Sequence, residues 1–534
     1  MFKILDAINA RKINNKIPEI LLFALIASYA IFFSALFIFR FHFFALHTDT
    51  GSYEQSIWTT IHGNLLQSSL AVSVYPFNSV IGGGSQVLET IPPFIFSTSH
   101  INIIILLLTP LYALFPHTET LLMMTGIVLA SGAIPIYCIA KRELKSKGLA
   151  LVLSSSYLLY PALQGANVAD FNYLVFAVPF LLSAFYFYRK ENWKLYWIFI
   201  ALSLTVREEV ALFVLLLGIL QFVFHKKRKI GLITMIVGLS AFLILLGVLE
   251  LLPIQLFSGN FSIVDQGNGI AGIFHTLITN PKVIYDHVVT LKNGVYLFEI
   301  FSHTAFLTFL NPISFIVSIP TLLENLLATP DSFRIMWNHY QLLLIPGVFI
   351  STIFSIKKIL YRYASRRNLV IFSIGIVLLF FALVSNSAFS PAPLKALDVS
   401  LDDNHIVLKK RYVVWEFLNF NCCSDYTGKN IMYQSYSEQI RSVYKAFSMI
   451  PDNVSVSTQD NFDAHLSRRQ SLYLFPLYYD KVDYVLVMEK TQGMFNTGYV
   501  PQEMQEKYIS LLKNDQKHKI ILQENGVLLF KKIA

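Results

Sequence analysis

Charged residues are scarce in this chain. Asp, Glu, Lys and Arg make up 14% of its 534 residues, whereas 54% of the residues are hydrophobic. Soluble domains carry about 25% charged residues. The composition therefore excludes an ordinary soluble protein and predicts helices that cross a lipid bilayer. The 45 Phe and 27 Tyr residues agree with this prediction, because aromatic side chains are enriched where helices leave the bilayer.

Cysteine is also rare, with only Cys138, Cys422 and Cys423 in the whole chain. Three cysteines exclude a disulfide framework. The adjacent pair has neither a Cys-x-x-Cys spacing nor a clustered histidine, and this argues against a zinc site. The net charge of +9 does not indicate a nucleic-acid partner, because the basic residues stand in clusters next to apolar runs.

Lys and Arg are missing altogether from residues 41–100, although Asp49 and Glu54 lie there. This segment follows the apolar run Ile17–Phe44, which exceeds the roughly 20 residues that a membrane span needs. Basic residues precede the run and are expected to stay in the cytoplasm, so the segment is predicted to lie outside the membrane. The run is predicted to be a retained span. Gly51–Leu70 is predicted to form a helix along the membrane surface.

Further apolar runs alternate with basic clusters along the first 390 residues. They predict an α-helical polytopic membrane protein with eleven spans and a cytoplasmic N-terminus. The run 101–115 is short and contains Pro110, so it is predicted to be re-entrant or interfacial; it would be the twelfth span if it crossed the membrane. The predicted spans are 17–44, 118–140, 149–163, 173–188, 195–206, 210–224, 230–252, 295–310, 313–327, 340–356 and 369–384.

Residues 391–534 contain no apolar run of spanning length. Short β-rich runs alternate there with helical ones, and this pattern predicts an α/β domain. By the parity of the spans the domain is extracytoplasmic, and residues 1–390 form the membrane domain with the long outer loop 41–100. Strands are predicted at 430–433, 454–458, 482–488, 520–522 and 527–530, and helices at 437–449, 460–467 and 501–513.

Ionisable residues lie close to the outer ends of several predicted spans. Such residues are costly at membrane depth and usually face an internal cavity. The candidates are Asp49 with Glu54, then Asp170, then Arg207-Glu208-Glu209, and finally Arg334 with His339 and Tyr340. Purely structural interpretations stay open. In these, Asp49 caps a helix that starts at Gly51, Asp170 is a solvated turn residue, Arg207-Glu208-Glu209 is a polar hairpin turn, and His339 is an interfacial histidine.

Several short motifs follow one another along the chain. They are Asp49–Trp58 with Gly63, His100 through Tyr112, Tyr157–Pro161, Asp170-Phe171, Arg207-Glu208-Glu209, Pro320 with Asn325–Leu327, His339-Tyr340 with Pro346, His465–Arg469 and Asp483–Leu486. Their order resembles the prokaryotic multi-pass family called domain of unknown function 2079, which in turn resembles the GT-C glycosyltransferases. Two positions depart from the family pattern, Thr50 where a Leu-like residue is expected and Asn172 where a His is expected.

The resemblance implies a glycosyltransferase in the plasma membrane of a prokaryote. Its donor would be a polyprenyl-phosphate sugar, and its acceptor a glycan, a lipid or a protein. Asp49 would activate the acceptor hydroxyl, Arg207 or Arg334 would bind the lipid phosphate, and a divalent metal near Glu208 and Glu209 stays open. The implied substrate-binding residues are Arg207, Glu208, Glu209, Arg334, His339, Tyr340, Glu54, His100 and Asp170. A transporter or flippase, or a non-catalytic scaffold, would also account for the composition.

Overall fold

The computed structural model describes residues 16–71, 95–96, 100–250, 261–265, 269–391, 396–402, 405–411, 433–489 and 500–533. The adjacent cysteines 422 and 423 lie outside these ranges, as does most of the predicted strand 430–433. Most of the described chain is helical, as its apolar composition predicts.

The helices follow the apolar runs of the sequence closely, although many of them are shorter than the runs. In chain order they are α1 (Ile17–His42), α2 (Thr48–Ile61), α3 (Ile104–Leu114), α4 (Thr118–Ser131), α5 (Ala133–Leu144), α6 (Lys147–Leu158), α7 (Pro161–Val168), α8 (Ala177–Lys190), α9 (Trp193–Leu204), α10 (Glu209–Ile219), α11 (Arg228–Glu250), α12 (Ser262–Asp265), α13 (Gly269–Thr279), α14 (Pro281–Val288), α15 (Leu291–Ser302), α16 (Pro312–Phe315), α17 (Ile319–Leu327), α18 (Leu344–Arg362), α19 (Arg367–Phe389), α20 (Tyr433–Ser448), α21 (Asp463–Leu466) and α22 (Gln502–Asn514).

The strands are short and most of them lie near the C-terminus. They are β1 (Gln67–Ser68), β2 (Ile95–Phe96), β3 (Ala396–Asp402), β4 (His405–Arg411), β5 (Val456–Thr458), β6 (Leu472–Leu474), β7 (Tyr484–Met488), β8 (His518–Glu524) and β9 (Val527–Lys532). β1 pairs with β2, β3 pairs with β4, and the other five form one sheet.

Five helical segments of the described chain are long and apolar enough to cross a membrane. A sixth is added if α6 and α7, bent by 41° at Pro161, count as one span. The polytopic helical fold is therefore confirmed, but fewer helices than the eleven predicted spans reach spanning length. The predicted span 195–206 is a 12-residue helix, and 210–224 is an 11-residue helix that continues as a π-helix. α3 has 11 residues and contains Pro110, so it is too short to span.

The chain divides into two compact units. The first unit comprises residues 1–34, 124–169 and 173–411, and the second comprises 35–123, 170–172 and 412–534. The predicted domain boundary after residue 390 stays a prediction.

Glycines allow two helices of the first unit, α10 and α11, to approach closely. A Cβ atom added at Gly218 would lie 2.5 Å from the backbone nitrogen of Met235, and one at Gly238 would lie 2.5 Å from that of Leu215. No side chain larger than hydrogen fits at these distances. The pair therefore packs through the small residues that are typical of helix contacts in membranes.

One buried carboxylate joins three helix ends of the first unit. Glu143 on α5 accepts a hydrogen bond from Arg189 Nε of α8 at 2.7 Å and another from Lys357 Nζ of α18 at 2.6 Å. Burial raises the cost of an unpaired charge, so the two cations stabilise Glu143 in its interior position. The basic ends of these helices consequently meet on one side of the unit.

Helix α2 organises the second unit and differs from its predicted form. It begins at Thr48 and ends at Ile61, and ten of its 14 residues are buried. The prediction of a helix along the membrane surface over Gly51–Leu70 is therefore wrong. The physical reason is that its polar side chains have partners inside the protein. Gln55, for example, donates hydrogen bonds to the Ser69 hydroxyl at 2.9 Å and to the Arg469 carbonyl at 3.0 Å.

The five-stranded sheet of the second unit has the order β6-β5-β7-β9-β8. β5 pairs in parallel with both β6 and β7, whereas β9 pairs antiparallel with β7 and β8. The prediction of an α/β arrangement near the C-terminus agrees with this sheet, although β6 was not predicted. Apolar residues of the sheet and of α20 and α22 form one core, which also contains Phe44 and Leu70 from the N-terminal part of the chain.

Candidate functional site

The first turn of α2 holds Asp49, the residue predicted to be catalytic. His47 is the N-cap residue of this helix, and Asp49 lies two positions inside it. The interpretation that Asp49 caps a helix starting at Gly51 is therefore wrong, because the helix starts three residues earlier. Asp49 is half-buried, whereas every other residue from Thr48 to Ile57 is buried. A carboxylate in a first turn is stabilised by the positive end of the helix dipole.

Asp170 supplies the side-chain cap that His47 does not. Its Oδ1 accepts hydrogen bonds from the backbone N–H of His47 at 2.6 Å and from the Thr50 hydroxyl at 3.2 Å. The backbone N–H of Phe171 donates in turn to the Thr50 hydroxyl at 3.0 Å. Asp170 is therefore not a freely solvated turn residue. It fixes the start of α2, and with it the position of Asp49.

Two further acids come directly after strand β5. Asp460 is fully buried, and its Oδ2 lies 3.3 Å from Nδ1 of His47, whose side chain is 43% exposed. Burial lowers the pKa of His47, but the hydrogen bond to Asp460 and the charges of Asp170 and Asp460 outweigh this effect and raise the pKa to about 9. His47 is consequently an imidazolium at neutral pH, held against buried carboxylates.

Asp463 is completely buried in the same cluster. Burial raises its pKa well above the usual range, and the charges of Asp460 and Asp170 raise it further, while the Thr48 hydroxyl and His47 lower it. Sequence reasoning missed His47, Asp460 and Asp463 as candidates. Their one available signal was the position of Asp460 two residues after a strand, where α/β proteins often place functional groups.

Glu54, predicted to bind substrate, is completely buried on α2. Its carboxylate accepts hydrogen bonds from the hydroxyls of Tyr112 at 2.5 Å, Thr118 at 2.6 Å and Ser467 at 2.6 Å. Burial raises the pKa of Glu54, and the three hydroxyl donors offset part of this rise. This geometry favours a role in holding α2, α3, α4 and α21 together over a role in contacting a substrate.

Arg207 and Glu208 lie between α9 and α10 in the first unit, and Glu209 is the first residue of α10. Arg207 is buried, and its Nε lies 2.5 Å from Oε2 of Glu209. Oxygens of Glu208 and Glu209 lie within 4.8 Å of each other, and Glu324 of α17 interacts electrostatically with all three residues. One guanidinium and three carboxyl groups therefore form one electrostatic cluster. Hard oxygen ligands of this kind fit a divalent cation, and sequence reasoning missed Glu324 among them.

Arg334 is buried in the first unit and donates mainly to backbone carbonyls. Nη1 donates to the carbonyls of Asn325 at 3.1 Å and Ala328 at 2.6 Å, and Nη2 lies 3.0 Å from Asp331 Oδ1. These bonds satisfy the carbonyls at the end of α17, where the helix leaves them unpaired. This arrangement favours a structural role for Arg334 over the predicted role in binding a lipid phosphate.

His339 and Tyr340 form the start of a short 3₁₀-helix near Arg334 in the chain. His339 is buried, and its ring centroid lies 4.4 Å from that of Tyr340, which stacks on Phe333 at 4.0 Å. His100 belongs to the second unit, is half-buried, and accepts a hydrogen bond at its carbonyl from the Asn102 side chain at 3.3 Å. Asp49, Glu54, Asp170 and His100 therefore belong to the second unit, and the other predicted residues belong to the first.

The comparison with known proteins agrees with the architecture. No curated protein matches the chain. A family model described as "Predicted membrane protein (DUF2079)" matches residues 41–529, which is most of the sequence. The matched range includes α2, strand β5 with the acids that follow it, and the Arg207-Glu208-Glu209 stretch. The chain therefore belongs to the DUF2079 family of predicted membrane proteins.

Proposed function

We propose that the protein is a membrane glycosyltransferase that transfers a sugar from a polyprenyl-phosphate donor to an extracytoplasmic acceptor. One observation carries the proposal. Asp49 lies seven residues after the end of α1, a helix of spanning length, and it is the one residue between Thr48 and Ile57 that is not buried. A carboxylate in that place is accessible to a substrate while the surrounding helix is held rigidly.

The proposed reaction needs a base and a cation. The oxygen of the acceptor hydroxyl attacks the anomeric carbon, and the bond from that carbon to the phosphate oxygen breaks. The hydroxyl proton passes to Asp49, and the polyprenyl phosphate leaves with the bonding electron pair. Arg207 is the proposed partner of the phosphate, because guanidinium groups bind phosphate by charge-assisted hydrogen bonds. Glu208 and Glu209 would orient Arg207 or bind a divalent cation.

The orientation of the chain is part of the proposal. The basic ends of α5, α8 and α18 meet at Glu143, as expected if they share the cytoplasmic side. The N-terminus would then be cytoplasmic, and the α/β region after residue 390 would be extracytoplasmic. The acceptor, a glycan, a lipid or a protein, would bind on that side of the membrane.

A transporter or flippase for a lipid-linked substrate is the second candidate. The helix pair α6–α7 favours it, because its 41° bend resembles the broken helices that transporters use at their binding sites. A flippase would move a polyprenyl-phosphate sugar across a vesicle membrane without breaking the sugar–phosphate bond. The transferase would release polyprenyl phosphate.

Two substitutions at one position test the proposal. Asp49→Asn removes the base but keeps the size of the side chain, and general-base catalysis contributes about 10²–10⁴-fold. We expect sugar transfer, or complementation of a deletion phenotype, to fall by that factor while the melting temperature stays unchanged. Asp49→Ala should be no more active. Asp452→Asn, at an exposed acid, is the matched control. Full transfer by Asp49→Asn would remove Asp49 from the mechanism.

A further inference from the structure

The sheet of the second unit has a topological switch point beside β5. From β5 the chain continues to β6 on one side, and from β7 it continues towards β8 and β9 on the other side. In open α/β sheets, ligands bind in the crevice at the carboxyl ends of the strands where the direction reverses. The residues that follow β5 at this switch point are Gln459, Asp460, Asn461, Phe462 and Asp463.

Several buried polar atoms just after β5 make no hydrogen bond of normal geometry within the described part of the chain. Asp463 is completely buried, and neither of its oxygens makes a hydrogen bond of normal geometry to a residue that the structure describes. The same is true of both polar atoms of the Asn461 side chain, which is 3% exposed. Buried polar groups are almost always hydrogen-bonded, so these atoms point to a ligand.

The first turn of α2 packs against Asp463. Thr48 is completely buried, and its hydroxyl interacts with Asp463. This hydroxyl makes no hydrogen bond of normal geometry within the described chain. A Cβ atom added at Gly51 would lie 2.6 Å from Asp463 Oδ1. The Asp463 carboxyl is therefore aimed at this turn, and Gly51 leaves the space for it.

The chemistry of the donors identifies the class of ligand. Asp460 and Asp463 supply carboxylate oxygens, Asn461 supplies an amide oxygen and Thr48 a hydroxyl. Asp170 adds negative charge that acts on Asp463, and His47 is the cation that interacts with these acids. Buried carboxylates that repel one another are stabilised by a divalent cation. Ca²⁺ accepts six to eight oxygen ligands in a flexible geometry, whereas Mg²⁺ demands a near-ideal octahedron.

We propose that Asp460 and Asp463, together with Asn461 and Thr48, form a calcium-binding site between the carboxyl edge of the sheet and the first turn of α2. The site does not depend on the proposed sugar transfer. A bound cation would satisfy the buried oxygens and link the C-terminal sheet to the helix that carries Asp49. Its expected role is to stabilise this unit in the extracytoplasmic space.

Thermal unfolding of the full-length protein in detergent tests the site. The protein is first treated with EDTA, and its melting temperature is then followed as CaCl₂ is added. At a hundredfold excess over the dissociation constant, one site should raise the melting temperature by about 5–10 °C. MgCl₂ at the same concentration should raise it less. Asp463→Asn and Asp460→Asn should lose the calcium-dependent rise, whereas Asp480→Asn, at an exposed acid of the same unit, should keep it.

Three results would overturn the proposal. These are a wild-type melting temperature that does not respond to CaCl₂, an Asp463→Asn protein that keeps the full rise, and an equal rise with MgCl₂. If Asp463→Asn does not fold, terbium luminescence of the wild type is compared with that of Asp460→Asn. Terbium binding that Asp460→Asn leaves unchanged would also contradict the site.

Discussion

Replacing Glu54 separates a packing role from a substrate-binding role. Glu54→Ala removes the acceptor of three buried hydroxyls, those of Tyr112, Thr118 and Ser467. Each buried hydrogen bond contributes about 1 kcal/mol, and more when the acceptor is charged. With the cavity that alanine leaves, the free energy of unfolding should fall by about 3–5 kcal/mol. For a unit of this size that loss corresponds to about 6–20 °C in melting temperature.

Glu54→Gln is the informative companion variant. Its amide oxygen still accepts hydrogen bonds, and hydroxyl groups rotate to meet the new amide donor, so the loss should be about 1 kcal/mol. Tyr112→Phe removes a single donor and should cost a similar amount. The assay is thermal unfolding of the purified proteins in detergent, combined with complementation of a deletion strain.

Two outcomes would refute the packing role. An Ala variant that melts like the wild type would show that the buried cluster contributes little to stability. A Gln variant that melts normally but loses activity would instead support the substrate-binding role that the family resemblance implied for Glu54.

Three more predictions follow from other contacts of the second unit. Gly51→Ala should lower the free energy of unfolding by about 1–3 kcal/mol, because its Cβ would lie 2.6 Å from Asp463 Oδ1. Gly294→Ala is the control and should not lower it, because a Cβ there would have no atom within 4 Å. Asp170→Ala should cost about 1–2 kcal/mol through the lost cap of α2, and Asp170→Asn much less, by the same melting assay. Burial lowers the pKa of His465 to about 3, so the unfolded state binds one more proton than the folded state between pH 6.5 and 3. The free energy of unfolding should therefore fall by about 2 kcal/mol between pH 7.5 and pH 5. The melting temperature should therefore be lower at pH 5 than at pH 7.5, and His465→Phe should remove the share of this difference that His465 causes.

The apolar runs of the sequence predict most helices because hydrophobicity is a local property. α1 covers almost the whole of its predicted span, and α19 extends beyond the predicted span 369–384. Proline explains several differences, because it lacks the N–H that a continuous helix needs. Pro161 bends the predicted span 149–163, and Pro312 begins a separate short helix.

The candidate site was predicted only in part, because its partners are distant in sequence. Asp49 was predicted because it is an acid that lies a few residues after the first apolar run. The polar composition of α2 is typical of an exposed surface, and its burial depends on residues such as Ser467 and Arg469, which no local pattern connects to it. None of the motifs found in the sequence contains Asp460 or Asp463. Only the pairing of β5 with β6 and β7 shows that these two acids follow a central strand of the sheet.

The hydrogen bond from Ser467 to Glu54 joins residues 413 positions apart, and this has a consequence for biosynthesis. Ribosomes add about 5–20 residues per second, so α2 waits roughly 20–80 seconds for the segment that covers it. During that time Glu54 lacks its hydrogen bond from Ser467, and Phe44 and Leu70 lack the sheet residues of their core. A nascent chain that stalls or ends before residue 433 would leave this surface open to proteases and chaperones. Quality control of the protein would therefore act only after this distant segment has been synthesised.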